Sequence, residues 1–186
     1  MRLIFVGPPG SGKGTQAKLL HDRYGVMCIG TGDLLRSAVR EGTPSGKLAE
    51  PFMLRGALVP DDIVNGRVAE YFTGDHPPKK FLLDGYPRNK SQAEFLDGTL
   101  KAAGLALTRV IHFDVPDEEL VRRLDGRGKV EGRADDTIET IRQRLKLYHD
   151  ATKPVVEHYR QTGLLAEVLA IGDIESIHKQ VVGLIG

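Results

Sequence analysis

Residues 7–15 read GPPGSGKGT, with two glycines separated by four residues and a lysine directly after the second. That spacing suits a loop that holds phosphates. Glycine lets successive backbone N–H groups converge on oxygen anions where a Cβ would stand in the way. A helix opening at the end of the loop aims its positive end at the same anions, and Lys13 is placed to reach the terminal phosphates. Gly10, Ser11, Gly12, Lys13, Gly14 and Thr15 are therefore expected to hold a nucleoside triphosphate. The loop departs from its usual form at one point. Gly14 follows the lysine, and the hydroxyl arrives one residue later, at Thr15, which leaves direct coordination of magnesium by Thr15 open. Asp84 ends a second apolar run, where an acid faces a phosphate-bound magnesium directly or through water. A simple turn cap is the alternative reading of Asp84.

Five arginines stand out by position. Arg36 lies one turn into the segment TGDLLR, Arg88 directly follows DGYP, and Arg127 and Arg133 sit in the glycine-punctuated stretch 126–135. Arg144 falls on a predicted helix, and the sequence leaves its facing open. The planar guanidinium grips two oxygens at once and keeps its charge, which suits a polyanionic substrate. The net charge of only +1 argues against bulk nucleic-acid binding. Cys28 is the single cysteine, so neither an internal disulfide nor a multi-cysteine zinc site can form. It is expected to be a buried small hydrophobe.

The elements that would position these residues follow from the apolar pattern. Runs at 2–6, 26–29, 79–84, 110–115 and 164–169 read as strands. Helices are expected over 13–24, 31–42, 45–55, 61–71, 89–103, 117–124 and 173–185, with a long one over 136–159 bent near Pro154. Asp61 and Asp62 are expected to cap the 61–71 helix. Residues 85–87 (GYP) force a turn, and 126–135 reads as a polar loop. Strands alternating with helices imply an α/β fold, a doubly wound parallel sheet with helices on both faces and ligands at the carboxyl ends of its strands. At 186 residues, 40% of them apolar and 27% charged, the chain fits one domain. No apolar run reaches the ~20 residues of a membrane span. The N-terminal LIFV run lacks a secretory leader pattern, so a cytoplasmic protein without a membrane partner is expected.

The segments 7–16 (GPPGSGKGTQ), 31–36 (TGDLLR), 56–60 (GALVP), 84–88 (DGYPR) with Gln92, and 132–136 (GRADD) with Arg144 together resemble the adenylate kinases of the nucleoside monophosphate kinase family. They span nearly the whole chain in the family's order. The resemblance implies one P-loop domain over 1–186, with a mobile monophosphate-binding segment at about 30–59 and a mobile lid at about 126–136. The lid is of the short form, lacking the inserted β segment and cysteine zinc site of long-lid members, so no zinc is expected. By resemblance, residues 10–15 bind ATP, with Arg127 against its adenine or phosphates and Gly172 approaching through its backbone. AMP would be bound by Thr31, Arg36, Ala57, Leu58, Val59, Gly85, Tyr86, Pro87, Arg88 and Gln92. Arg133 and Arg144 would grip the transferred group as the lid closes, and Lys13, Arg88, Arg133 and Arg144 would be catalytic. Asp135 and Asp136 match an acidic pair that positions arginines, with capping of the long helix as an equal alternative.

The implied reaction is ATP + AMP ⇌ 2 ADP, magnesium-dependent, in a monomer that serves adenine-nucleotide homeostasis. Its nucleophile is a phosphate oxygen already anionic near neutral pH, so no general base is needed. None of the six histidines is assigned a role beyond surface or packing. A kinase for UMP or CMP on the same fold is the near alternative, and Thr31 and Gln92 favour adenine over it. A non-catalytic nucleotide sensor is the distant one, since a sensor has no use for the full set of arginines.

Overall fold

The structure, a computed structural model, describes residues 1–131 and 137–185, and the side chains of all of these except 125–131. Five strands, β1 (Arg2–Val6), β2 (Met27–Gly30), β3 (Phe81–Asp84), β4 (Arg109–Asp114) and β5 (Leu165–Leu169), form one parallel sheet in the order β2-β3-β1-β4-β5. The helices are α1 (Lys13–Tyr24), α2 (Thr31–Arg40), α3 (Pro44–Leu54), α4 (Asp61–Ala69), α5 (Lys90–Ala102), α6 (Asp117–Glu131), α7 (Ile138–Leu147), α8 (Lys153–Gln161) and α9 (Ile174–Ile185). A π-helical turn, Tyr148–Thr152, joins α7 to α8.

Pleating sends neighbouring residues of each central strand into different layers. Ile4 and Val6 of β1, with Phe81 and Leu83 of β3, enter a core packed by α4, α5 and α8. Leu3, Phe5 and Leu82 enter the opposite core, packed by α1, α6, α7 and α9. Both faces of the sheet are thus covered, which is why its strands read as unbroken apolar runs. Each large aliphatic side chain fully buried in this way contributes ~1.5–3 kcal/mol relative to exposure.

α1 leaves the carboxyl end of β1 on one face, while α5 leaves the adjacent β3 on the other. Connections departing to opposite faces open a crevice at the strand ends, the place where open α/β sheets bind ligands. The register sets Phe5 beside Asp84, and Gly30 beside Asp84 on the other flank. Asp84 therefore stands between the start of the glycine loop and the start of α2.

Four expectations change. The glycine-punctuated stretch does not begin as a loop at 126, because α6 continues through Glu131. A glycine in a helix interior costs only ~1 kcal/mol relative to alanine, and no proline interrupts 117–131. The lid expected at 126–136 therefore starts with helical backbone, and Gly132, Arg133, Asp135 and Asp136 lie outside the described residues. The long helix is broken before Pro154 by the π turn, and Pro154 occupies the first turn of α8, where a missing N–H costs nothing. Cys28 is exposed. It lies on edge strand β2, where only Ile29 is buried, and its thiol donates to the Ala17 carbonyl at 3.2 Å. Asp61 and Asp62 sit in the first turn of α4, while the N-cap is Pro60 and no side chain caps that terminus. Asp61 bonds instead to the start of α5.

Candidate active site

The glycine loop turns directly from β1 into α1. Gly10 and Gly12 take φ values of +82° and +91°, a region that side chains disfavour. A Cβ on Gly10 would also stand 2.8 Å from Cγ of Leu124. Gly12 caps α1 without a side-chain hydrogen bond, so the first N–H groups of the helix face the loop. The Lys13 ammonium donates to the carbonyls of Gly7 and Pro8 at 2.9 and 2.8 Å. Behind the loop, buried Gln16 donates to the Ile174 carbonyl at 3.0 Å and pairs with His178 Nδ1 at 2.9 Å. These bonds tie α1 to α9, next to Gly172. Burial lowers the His178 pKa, which favours the neutral ring in this packed position.

Asp84 emerges from β3 below the loop, and a Cβ on Gly14 would lie 3.6 Å from its Oδ2. Burial pushes its carboxyl above the ordinary range, while the charges of Lys13 and then Arg88 pull it back. The turn that follows is held by the Gly85 carbonyl, which accepts from Arg88 Nε at 2.7 Å and from the Thr31 hydroxyl at 2.9 Å. The Arg88 carbonyl accepts from the hydroxyl of Thr152, in the π turn, at 2.8 Å. Burial lowers the Arg88 pKa, and the nearby charge of Arg144 lowers it further. Arg144 lines the cleft, which resolves its orientation. Arg36 pairs with Asp33 at 2.5 Å. An anion placed among these guanidiniums would relieve their mutual repulsion.

Phosphate loop, Asp84 and arginines share one open cleft of about 1060 Å3. That is slightly above the ~300–1,000 Å3 usual for one small ligand. Every residue assigned to ATP or AMP above whose side chain is described lines it, except Tyr86. The Tyr86 ring is fully buried beneath the cleft, and its hydroxyl donates to Asn65 Oδ1 at 2.5 Å. Arg127 has its side chain outside the described residues. Ala57, Leu58 and Val59 line the cleft from the chain between α3 and α4.

Some lining residues escaped sequence reasoning. Arg123 of α6 runs along the cleft, bonded to Glu119 at 2.7 Å and to the Ala170 carbonyl at 3.0 Å. Arg122 and Arg123 pull the Glu119 carboxyl down to about 2. The Glu–Arg spacing of four on a helix after a strand was the available signal. Tyr148 and Thr152 also line the cleft, through a π turn that no spacing announces.

Oxygen donors suit magnesium, and Asp84 beside the loop, with Thr15 also lining the cleft, fits that chemistry. Among the described residues, no group of three or more His, Cys, Asp or Glu side chains could hold a metal, and no helix is long and apolar enough to cross a membrane.

The family model for adenylate kinase matches residues 5–164. The chain is 46% identical over 185 residues to an adenylate kinase of Stenotrophomonas maltophilia, covering 100% of this chain and 99% of that one. It is 46% identical over 176 residues to an adenylate kinase of Micrococcus luteus, covering 95% of this chain and 86% of that one. It is 45% identical over 186 residues to an adenylate kinase of Xylella fastidiosa, covering the whole of both. A phosphate loop and a set of guanidiniums facing each other across one cleft thus coincide with a match over most of the chain, and the chain belongs to the adenylate kinase family, enzymes that transfer a phosphoryl group between ATP and AMP.

Proposed function

We infer that ATP and AMP enter this one cleft from opposite ends, ATP on the glycine loop and AMP among Thr31, Arg36, residues 57–59, Arg88 and Gln92. The observation that carries this reading is the sharing of a single cleft by the loop and by Arg36, Arg88 and Arg144. The reaction is ATP + AMP ⇌ 2 ADP. An oxygen of the AMP phosphate attacks the γ-phosphorus, and the bond from that phosphorus to the bridging oxygen of ADP breaks. With a second phosphate pKa of ~6, the attacking oxygen is anionic at neutral pH, so no side chain has to remove a proton.

The difficulty is repulsion between two polyanions that must meet in line. Positioning and positive charge supply the catalysis. Lys13 supplies a compact charge on the ATP side, Arg36 and Arg88 hold the AMP phosphate, and Arg144 faces the gap. Arg133, Arg127 and the mobility of segments 30–59 and 126–136 belong to the same proposal, with closure excluding water as a competing acceptor. Asp84 would hold magnesium, directly or through water, and the ion would supply neutralisation of phosphate charge. A monomeric, cytoplasmic enzyme without zinc completes the proposal.

The test is a phosphoryl-transfer assay with ATP and, in turn, AMP, UMP, CMP and GMP. ADP formation fastest with AMP is expected. Fast turnover of UMP or CMP with little use of AMP would replace the reading with a pyrimidine monophosphate kinase.

A further inference from the structure

We propose that Asp61, at the start of α4, locks the side-chain amide of Gln92 in one orientation and so selects a 6-amino over a 6-oxo purine monophosphate. The inference rests on the placing of AMP at Gln92 given above.

Gln92 is buried, at 2% exposure, yet lines the cleft. Its Oε1 accepts from the backbone N–H of Arg88 at 2.8 Å, and its Nε2 donates to Asp61 Oδ1 at 2.8 Å. The two partners fix which atom is which. A backbone N–H can only donate, and a carboxylate can only accept. Rotating the amide by 180° would face an NH2 against an N–H and an oxygen against a carboxylate, losing two hydrogen bonds and adding two repulsions. Asp61 is itself held by Asn89, whose Nδ2 donates to its two oxygens at 2.9 and 3.2 Å. Asn89 in turn accepts from the Gln92 N–H at 2.8 Å and caps α5. One carboxylate thus orients both amides at the start of α5.

Each polar atom of the Gln92 amide keeps one further valence, a lone pair on the oxygen and an N–H on the nitrogen. Adenine presents an amino donor beside a ring-nitrogen acceptor. Hypoxanthine presents an oxo acceptor beside a ring N–H, the same pair reversed. At one seat, an amide free to rotate reads either base, whereas a fixed one reads only one. A site that hydrogen-bonds its substrate in this way rejects the mismatched analogue because buried groups are left unpaired. Asp61 touches no substrate in this scheme and acts as a positioning residue.

The experiment compares kcat/KM for AMP with that for IMP, which differ at this edge alone. The variants are Asp61→Ala and the isosteric Asp61→Asn, which preserves packing if the alanine variant fails to fold. Losing a charge-assisted bond should lower the AMP:IMP ratio on the order of tenfold in Asp61→Ala, through a gain with IMP as well as a loss with AMP. Asp61→Asn should fall between. The change should enter the KM of the monophosphate and leave the KM of ATP in place. Ratios that stay at the wild-type value in both variants, with AMP and IMP use falling together, overturn the proposal. Gln92→Ala separates the two layers of inference. If it collapses the ratio while the Asp61 variants do not, the AMP site stands and the lock falls. If it leaves the ratio intact, Gln92 does not read the base and the placing of AMP fails first.

Discussion

The two ends of the cleft are built in opposite ways. The phosphate loop is one contiguous stretch between β1 and α1, and it presents backbone N–H groups held by glycines in unusual conformations. The other end is assembled from side chains that start far apart, with Thr31, Asp61, Arg88, Gln92 and Thr152 meeting through hydrogen bonds across α2, α4, α5 and the π turn. A backbone cradle fails when its conformation is denied. A side-chain assembly fails in steps, one partner at a time, and can be tuned in the same way.

Gly10→Val should give the largest effect, because it denies the conformation outright. The φ of +82° and a neighbour at 2.8 Å leave no room for a Cβ. Phosphoryl transfer should drop to background, and overpacking should lower stability by about 3 kcal/mol. Initial rates and a denaturant titration measure both. Normal ATP binding in this variant would break the contrast between the two ends. Arg88→Ala should come next, with a loss of about 3 kcal/mol in transition-state stabilisation, on the order of a hundredfold in kcat/KM. The fold should survive, and ATP should still bind. If ATP affinity fell as far as AMP turnover, the two ends would not be separable.

The smallest expected change is in the stability of the ligand-free protein, and it concerns Asp84, between the ends. Its pKa is raised in the fold, mainly by burial. The folded state therefore holds the proton more firmly than the unfolded chain, and stability falls as pH rises from the unfolded pKa, 3.8, through the folded one. Asp84→Asn should make the ligand-free protein more stable at neutral pH, with the gain vanishing in acid, while activity declines. Thermal melts across pH check this. A variant less stable at neutral pH would show that Lys13 and Arg88 outweigh burial.

The same division governed what could be read from the sequence. The strand, glycine loop and helix are contiguous, so their order alone puts Gly12 and Lys13 where the loop meets α1. Arg88 follows the strand-ending Asp84 by four residues, which keeps both at one edge of the sheet. The glycines of 126–131 were misleading, because their composition resembles a loop while the helix begun by Asp117, Glu118 and Glu119 tolerates them. The apolar neighbours of Cys28 suggested burial, but β2 is an edge strand, and edge position follows from sheet order rather than from local composition. Asp61 read as a helix cap because nothing in the sequence announces a partner 31 residues away. Arg144 had no readable facing until Ile141 and Leu145 were seen to occupy the core.

The π turn at Tyr148–Thr152 has a geometric result for the segment that contains it. A π turn takes up about one residue more than an α turn, so everything beyond it is rotated by roughly 100° relative to an uninterrupted α-helix. Before the turn, the angular phase of the segment is set by Arg144 pointing into the cleft. After it, the phase is set by Val155, Val156 and Tyr159 packing under the sheet. The surplus residue works as a coupling between two shafts that run out of step, so the demands of the cleft and of the core are met on one continuous length of chain.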